Sequence, residues 1–167
     1  MTRINIAIPP KALDDWRLIA EINEIHRIPE LYQKRLEKKV NFGDIPKHFT
    51  LSIGHVKFFL NKGAFILNRF NILVDEYEIR NLSNIYNNKI NKDVTEFLKF
   101  KEEHFNTWNP KKKDVAKVIT RIIETIKNSD KLPMYKGFYE PKKVAIDRIL
   151  SIGIKPEKKQ EQTKLFN

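Results

Sequence analysis

Residues 11–29 read KALDDWRLIAEINEIHRIP. The apolar residues of this stretch recur every three or four positions, which is the spacing of one face of an α-helix. Pro29 lacks a backbone N–H and clashes with the preceding turn, so we expect it to end or bend the helix. The stretch therefore predicts an amphipathic helix. Its apolar residues are Leu13, Trp16, Ile19, Ala20, Ile22 and Ile25.

Charged residues occupy the other side of this predicted helix. Glu21 and Glu24 are one turn apart, with Arg17 and Arg27 at three- and four-residue spacings from them. A second carboxylate raises a carboxyl pKa and an arginine lowers it, so the sequence leaves the sign of any net shift open. On its own, such a pattern is typical of a solvated charged face.

A second long helix is predicted to begin near Gly63. Before it, residues 30–53 predict a short helix followed by a loop with glycine and proline breakers. After it, residues 81–109 are rich in asparagine and predict irregular structure with one short amphipathic piece. The apolar face of the second helix is formed by Ile66, Phe70, Leu73 and Tyr77.

A third helix is predicted after residue 109, because Asn109 suits an N-cap and Pro110 the first helical position. Lys111, Lys112 and Lys113 then oppose the helix dipole, at a cost of about a few tenths of a kcal/mol each. Contact with phosphates would offset this cost, and a solvated lysine run is the alternative. The apolar face is Val115, Val118, Ile119, Ile122, Ile123 and Ile126. We therefore expect an all-α single domain of three main helices with long irregular connections.

The charge of the chain favours a polyanionic partner. Its 167 residues carry 32 Lys and Arg against 21 Asp and Glu, a net charge of +11. Such a field attracts phosphates without regard to base sequence. No apolar run approaches the roughly 20 residues that span a bilayer, and no secretory segment follows Met1. We expect a monomer in the cytoplasm, associated with the nucleoid and without a membrane contact.

Metal and thiol chemistry are disfavoured by composition. The chain has no cysteine, which excludes disulfides and thiolate ligands. Its four histidines show no metal-ligand spacing on a shared helix, so we expect neither a metal nor another cofactor. His55 is more typical of a hydrogen-bonded structural histidine than of a catalyst.

The chain begins MTRIN, so removal of Met1 would expose the α-amine of Thr2. An α-amine has a pKa near 7.7–8.0, against about 10.4 for lysine, and is therefore partly neutral and nucleophilic at neutral pH. Such an amine can attack the anomeric carbon of a nucleotide and leave an iminium, which a nearby carboxylate would stabilise. On the pentapeptide alone, an ordinary frayed terminus is the commoner interpretation.

Three separated blocks of sequence resemble the pyrimidine-dimer DNA glycosylases, the phage endonuclease V type and its bacterial relatives. The second block, residues 54–63, contains GHVKFF and NKG, and a weaker third runs from Trp108-Asn109-Pro110 to Leu132-Pro133-Met134-Tyr135-Lys136. The resemblance covers about residues 1–139 in family order. The first block comprises Thr2, Arg3, Ile4 and Asn5, then Leu13, Asp15, Leu18, Ala20, Glu21, Glu24, Arg27, Ile28 and Pro29.

The resemblance implies a chemistry and assigns its residues. Thr2 would supply the attacking amine and Glu24 the catalytic carboxylate, while Arg3 and Arg27 would hold phosphates around the lesion. The implied reaction is cleavage of the N-glycosyl bond followed by β-elimination at the abasic sugar. The implied substrate is damaged duplex DNA containing ultraviolet-induced cyclobutane pyrimidine dimers.

Two positions on the first helix depart from the family pattern. Arg17 stands where the family usually has histidine, and Asn23 where it has arginine. Both positions face DNA in the family. Asn23 therefore lacks the positive charge and the several N–H donors that a guanidinium would direct toward DNA. The family has an aromatic segment near its C-terminus, of which this chain keeps Tyr135 and Lys136. We expect these two residues either to contact DNA or to pack the terminal segment.

Beyond residue 139 the chain leaves the resemblance. We expect a short, helical extension at residues 140–153 and a polar tail at 154–167 that is too hydrophilic to fold alone. The tail ends in Gln162-Thr163-Lys164-Leu165-Phe166, which resembles the peptide by which bacterial repair proteins bind the DNA sliding clamp. Gln162, Leu165 and Phe166 would make that contact, and a tail that folds back on the core is the alternative.

Two other functions remain open from the sequence. The first is the same mechanism on a different damaged or modified base, which Arg17 and Asn23 make reasonable. The second is a non-catalytic basic DNA-binding protein, because charge and helices alone would support that equally well.

Overall fold

Asp14 caps the first helix of the structure. Its Oδ1 accepts a hydrogen bond of 2.9 Å from the backbone N–H of Arg17. In this computed structural model, which describes residues 4–52 and 54–157, helix α1 then runs over Asp15–Ile25. The other helices and strands are α2 (Arg27–Glu37), α3 (His55–Phe58), α4 (Gly63–Ile79), α5 (Leu82–Tyr86), α6 (Lys112–Asn128), β1 (Met134–Tyr135), β2 (Phe138–Tyr139) and α7 (Lys142–Leu150). Single 3-10 turns lie at Pro10–Ala12, Phe97–Lys99 and Glu102–His104.

The described residues are mostly helical, which confirms the all-α prediction. Helices α1, α4 and α6 lie at the positions of the three main helices that the sequence predicts. In the part of the chain that the structure describes, α1, α2, α4, α6 and α7 each contain nine residues or more. Helix α5 lies in a segment for which the sequence predicts irregular structure.

The break between the first two helices comes before the proline. Helix α1 ends at Ile25, His26 forms the junction, and Pro29 lies in the first turn of α2. A proline is tolerated there because the N–H groups of a first turn have no partner within the helix. The bend at His26 is held by its ring, which packs edge-on against Phe70 at 4.7 Å and lies 2.9 Å through Nε2 from the Asn91 carbonyl oxygen.

Helices α1 and α4 pack against each other and form the centre of the core. The predicted face of α4 is confirmed, since Ile66, Phe70, Leu73 and Tyr77 are buried. On α1 the burial of Ile19, Ile22 and Ile25 is also confirmed. Trp16 and Ala20 were wrongly assigned to this face, because both are exposed, Trp16 over 51% of its surface.

Helix α6 begins two residues later than the sequence predicts. Lys111 is the N-cap and Lys112 the first helical residue, so Asn109 and Pro110 do not cap the helix. The Asp114 side chain caps the start of the helix instead, since its Oδ2 accepts a hydrogen bond from the backbone N–H of Lys111 at 3.4 Å. The apolar face is confirmed in full from Val115 to Ile126.

After α6 the chain forms a small hairpin and a final helix. Strands β1 and β2 pair antiparallel, Met134 with Tyr139 and Tyr135 with Phe138, around a turn at Lys136-Gly137. Both turn residues have positive φ, 51° and 83°. Helix α7 buries Ala145 and Ile149 and packs on α6 and on the 3-10 turn at Pro10–Ala12.

Candidate active site

The chain is fixed in the core from residue 4 onward, two residues after the predicted nucleophile Thr2. Ile4, Ile6 and Ile8 are fully buried. His55 lies beneath this segment, with Nδ1 2.7 Å from the Thr50 carbonyl oxygen and Nε2 accepting from the Ile4 N–H at 3.4 Å. Burial lowers the pKa of His55 below its ordinary value of 6.5, which favours the neutral ring that this arrangement needs. The prediction of a structural histidine is confirmed.

Glu21 is a buried anchor of the N-terminal segment, and its expected place on a solvated face is wrong. The side chain is fully buried, with Oε1 accepting from the backbone N–H of Asn5 at 2.9 Å and Oε2 from its side-chain amide at 2.8 Å. The Arg69 guanidinium donates to the same two oxygens at 2.9 and 3.1 Å. Glu21 therefore ties the start of the chain to α1 and α4.

Two arginines that sequence reasoning did not single out complete this anchor. Arg69 also donates to the Ile8 carbonyl oxygen at 2.7 Å, and Arg121 of α6 donates to Asn5 Oδ1 at 2.8 Å. The sequence does carry a signal for Arg69, because it lies three residues after Ile66 and four before Leu73 on the apolar face of α4. A charge at such a position requires a buried partner.

Glu24 lies one turn beyond Glu21, close to this anchor but open to solvent. Its side chain is 18% exposed and pairs with Arg27 at 2.5 Å, while the Arg27 side chain is largely exposed. Glu21 and Glu24 both lie close enough to His55 to raise its pKa, and Arg121 close enough to lower it, although burial dominates. The predicted carboxylate is therefore grouped with the residues that hold Ile4 and Asn5.

A surface cavity of about 490 Å³ lies along the same side of α1. Arg17 and Ala20 line it from α1, and Thr125, Ile126 and Ser129 line it from α6. Ala20 is four residues before Glu24 and so lies on the same helix face, about 6 Å away along the axis. The cavity is completed by Asp14, Trp16, Lys131, Leu132 and Pro133.

The two residues that depart from the family pattern differ in their surroundings. Arg17 forms an ion pair with the N-cap carboxylate of Asp14 and is mostly buried beside the cavity. Asn23 is exposed on α1, next to Glu24 in the chain. The cation at residue 17 is therefore partly engaged within the protein, whereas Asn23 faces solvent.

The other predicted DNA contacts lie on two separate elements. Lys136 is exposed on the hairpin turn, and the Tyr135 ring is held between the guanidinium groups of Arg80 and Arg148. Packing is thus the observed role of Tyr135, and DNA contact by either residue stays a prediction. Lys111, Lys112 and Lys113 are exposed at the N-terminal end of α6, away from the cavity end of that helix.

Several predicted site residues lie outside the described residues. These are Thr2 and Arg3 at the N-terminus and Gln162, Leu165 and Phe166 of the predicted clamp-binding peptide. Within residues 4–52 and 54–157, no three His, Asp or Glu side chains are grouped as a metal site. Within the same residues no helix is long and apolar enough to cross a bilayer.

A family model described as pyrimidine dimer DNA glycosylase matches residues 1–93, more than half of the chain. The protein belongs to this family. The match contains Glu21, Glu24 and the part of the anchor on α1 and α4, whereas α6, the hairpin and α7 follow it. No curated protein matches the chain significantly. The protein is accordingly a DNA glycosylase of the pyrimidine-dimer class, with DNA as its substrate.

Proposed function

We propose that the protein cleaves an N-glycosyl bond at cyclobutane pyrimidine dimers in duplex DNA with the α-amine of Thr2 as nucleophile, after loss of Met1, and then cleaves the strand as an abasic-site lyase. The observation that carries this proposal is the anchoring of Ile4 and Asn5 beside Glu24. A buried, hydrogen-bonded segment that begins two residues after Thr2 is what a catalytic terminus requires, because a freely moving amine would lose the advantage of orientation.

Chain length supports the pairing of Thr2 with Glu24. Thr2 precedes Ile4 by two residues, which span at most about 7 Å. Glu21, which binds Asn5, is one helical turn from Glu24, and side chains at that spacing have Cβ atoms about 5–6 Å apart. The amine can therefore approach the Glu24 carboxylate while the segment from Ile4 onward stays in place.

The proposed chemistry proceeds in two steps. The neutral amine attacks C1′ of the damaged nucleotide, the C1′–N bond breaks, and the base leaves with the electron pair. The nitrogen then loses a proton, the C1′–O4′ bond breaks while O4′ takes up a proton, and the open-chain adduct is an iminium. Removal of a C2′ proton then breaks the C3′–O bond and expels the phosphate. Glu24 stabilises the cation and transfers protons, and the protonated imine is the group that activates C2′.

The surroundings of Glu24 suit a phosphate backbone. The exposed Arg27 guanidinium lies beside it, and Arg3 is the residue between Thr2 and the anchored Ile4. A glycosylase must remove a nucleotide from the stack, which costs least where pairing is already damaged. We therefore assign Arg3 and Arg27 to phosphates flanking the lesion. We propose from this activity that the protein works in the cytoplasm with the nucleoid.

Borohydride trapping on a dimer-containing duplex tests the mechanism. The native terminus should give a covalent protein–DNA adduct, and a version that retains Met1 or a tag should give none. Trapping that is indifferent to a blocked amine would refute Thr2 as nucleophile. Glu24→Gln should lose glycosyl cleavage while DNA affinity changes little. A protein that binds DNA but never gives an adduct with any substrate would be the non-catalytic alternative.

The range of lesions is tested by a substrate panel. Asn23 offers a neutral amide where the family has a guanidinium, so a preference for another damaged base is the alternative to dimers. The panel compares dimer-containing duplexes with duplexes that carry oxidised, alkylated or deaminated bases. Asn23→Arg should move the preference toward dimers if this position decides it.

A clamp contact by the tail is a separate proposal. The last described residue, Glu157, donates its backbone N–H to Thr120 Oγ1 of α6 at 2.7 Å, and residues 158–167 continue from there. Leu165 and Phe166 would fill an apolar pocket of the sliding clamp, with Gln162 hydrogen-bonded beside it. Deletion of residues 160–167 should abolish clamp pull-down and leave turnover on short oligonucleotides intact. An unchanged pull-down would refute this contact.

A further inference from the structure

The hairpin presents two aromatic side chains to solvent beside the N-terminal end of α1, where Asp15 binds its turn. Phe138 is 78% exposed and Tyr139 is 71% exposed. The segment that leads into the hairpin, residues 131–133, lines the cavity beside α1. Lys131 and Lys136 are exposed nearby. Exposed aromatic rings among cations, on a protein whose substrate is DNA, suit stacking on bases that have lost their partners.

The hairpin is too small to hold this shape alone. Each strand has two residues, and an isolated two-stranded hairpin is at best marginally stable in water. Asp15 fixes the turn, since its fully buried carboxylate accepts from the backbone N–H of Lys136 at 3.1 Å and of Gly137 at 2.9 Å. Glu140 closes the other end by donating its backbone N–H to the Pro133 carbonyl oxygen at 2.9 Å.

Helix α7 contributes a second support through Arg148. The Arg148 guanidinium lies 3.8 Å from the centroid of the Tyr135 ring, and the Arg80 guanidinium lies 4.3 Å from it. Both arginines are therefore stacked on Tyr135, the residue that pairs with Phe138 across the hairpin. The hydroxyl of Tyr135 donates to the Lys11 carbonyl oxygen at 3.1 Å, which fixes the ring further.

Arg148 is not placed as a phosphate ligand. Its NH1 donates to Glu140 Oε2 at 2.7 Å, and its NH2 donates to Glu140 Oε1. Its Nε donates to the Ala12 carbonyl oxygen at 3.3 Å, and little of the side chain is exposed. A guanidinium that is neutralised by two hydrogen bonds to a carboxylate has little capacity left for DNA.

We propose that Arg148 is a positioning residue: through Tyr135 and Glu140 it holds the hairpin so that Phe138 and Tyr139 stack against DNA bases exposed by the kink at the lesion. This inference rests on the proposed function, because it takes the face of α1 that carries Glu24 as the DNA-facing side. Helix α7 follows the residues matched by the family model. Through Arg148 it would support substrate binding without contacting DNA itself.

The test measures equilibrium binding to a duplex that carries a tetrahydrofuran abasic analogue. This analogue can form no Schiff base and is not cleaved, so a failed glycosylase assay would leave the binding result interpretable. Phe138→Ala should weaken binding about tenfold, the scale of one lost aromatic–base stack. Arg148→Ala should weaken binding to a similar degree, and the double variant should be no weaker than either single variant.

Salt dependence separates positioning from phosphate contact. A lost phosphate contact lowers the slope of log K against log salt by about one, whereas Arg148→Ala should leave the slope unchanged. Lys143→Ala, an exposed lysine on the same helix, is the matched control for charge and should change affinity much less. Additive effects, a lowered slope, or equal effects of Arg148→Ala and Lys143→Ala would overturn the proposal. Phe138 is exposed, so wild-type affinity of Phe138→Ala would overturn it even if Arg148→Ala failed to fold.

Discussion

The two ends of α1 hold distant parts of the chain with the same chemical arrangement. At one end Glu21 pairs with Arg69 of α4 and binds the backbone of Asn5. At the other end Asp15 pairs with Arg80 of α4 at 2.9 Å and binds the turn of the hairpin. In both cases a fully buried carboxylate, neutralised by an arginine, accepts a hydrogen bond from the backbone of a non-helical segment.

The two sites differ in the number of carboxylates that pair with the buried arginine. Arg80 also donates to Glu76 at 2.7 Å and to the carbonyl oxygens of Leu13 and Pro10, both at 2.9 Å. Among the described residues Arg69 pairs with no carboxylate besides Glu21. The site that holds the proposed nucleophile thus depends on a single ion pair, whereas the hairpin site keeps a second carboxylate. Loss of the carboxylate should be more damaging at the first site than at the second.

Glu21→Gln should produce the largest effect. It leaves the Arg69 charge buried without a counterion, and breaking a buried pair in this way costs about 3–5 kcal/mol. Urea unfolding measures the loss, and borohydride trapping should fall because Asn5 is released. Glu24→Gln is the matched control, since its side chain is partly exposed and its loss should change stability little. Equal unfolding free energies for the two variants would contradict the buried-pair account.

Asp15→Asn should have the second largest effect, about 2–3 kcal/mol, because Arg80 keeps Glu76 while buried hydrogen-bonding groups at the turn are left badly paired. Hydrogen exchange locates the damage. The amides of Lys136 and Gly137 should lose protection, and those of Asn5 and Ile8 should keep it. Loss of protection at both sites would show that the two anchors act as one unit.

The smallest effect is a pH dependence at the N-terminal anchor. Burial lowers the folded-state pKa of His55, so the unfolded state binds more protons and stability falls as pH drops below about 6.5. One group contributes a slope of at most about 1.4 kcal/mol per pH unit. His55→Gln should flatten this part of the stability profile, measured by unfolding between about pH 7.5 and pH 5. Identical profiles for the two proteins would assign the dependence to other groups.

Sequence periodicity predicted the helices better than it predicted their charged residues. The apolar faces of α4 and α6 follow from local spacing alone, and both are confirmed. Glu21 was placed on a solvated face because its partner Arg69 is 48 residues away, beyond any helical window. The hairpin was not predicted because two-residue strands carry no readable alternation.

The residues of the candidate site also divide into those predicted from the sequence and those recognised only in the structure. Glu24 and the role of Thr2 come from the resemblance of the first block, and the family match contains both positions. The residues that fix the segment after Thr2 come from three other parts of the chain, His55, Arg69 and Arg121. Only the folded structure brings them together, because hydrogen bonds between such distant residues leave no local pattern.

Trp16 gives the protein an optical reporter at a useful place. Its indole is half exposed at the edge of the cavity, with its ring 4.9 Å from that of Tyr86. The only other tryptophan, Trp108, packs among Phe49, Phe58 and Phe65. Trp108→Phe would therefore leave a single tryptophan, beside the proposed DNA-binding face. Quenching of its emission would then follow the arrival of DNA in real time, without a label on either molecule.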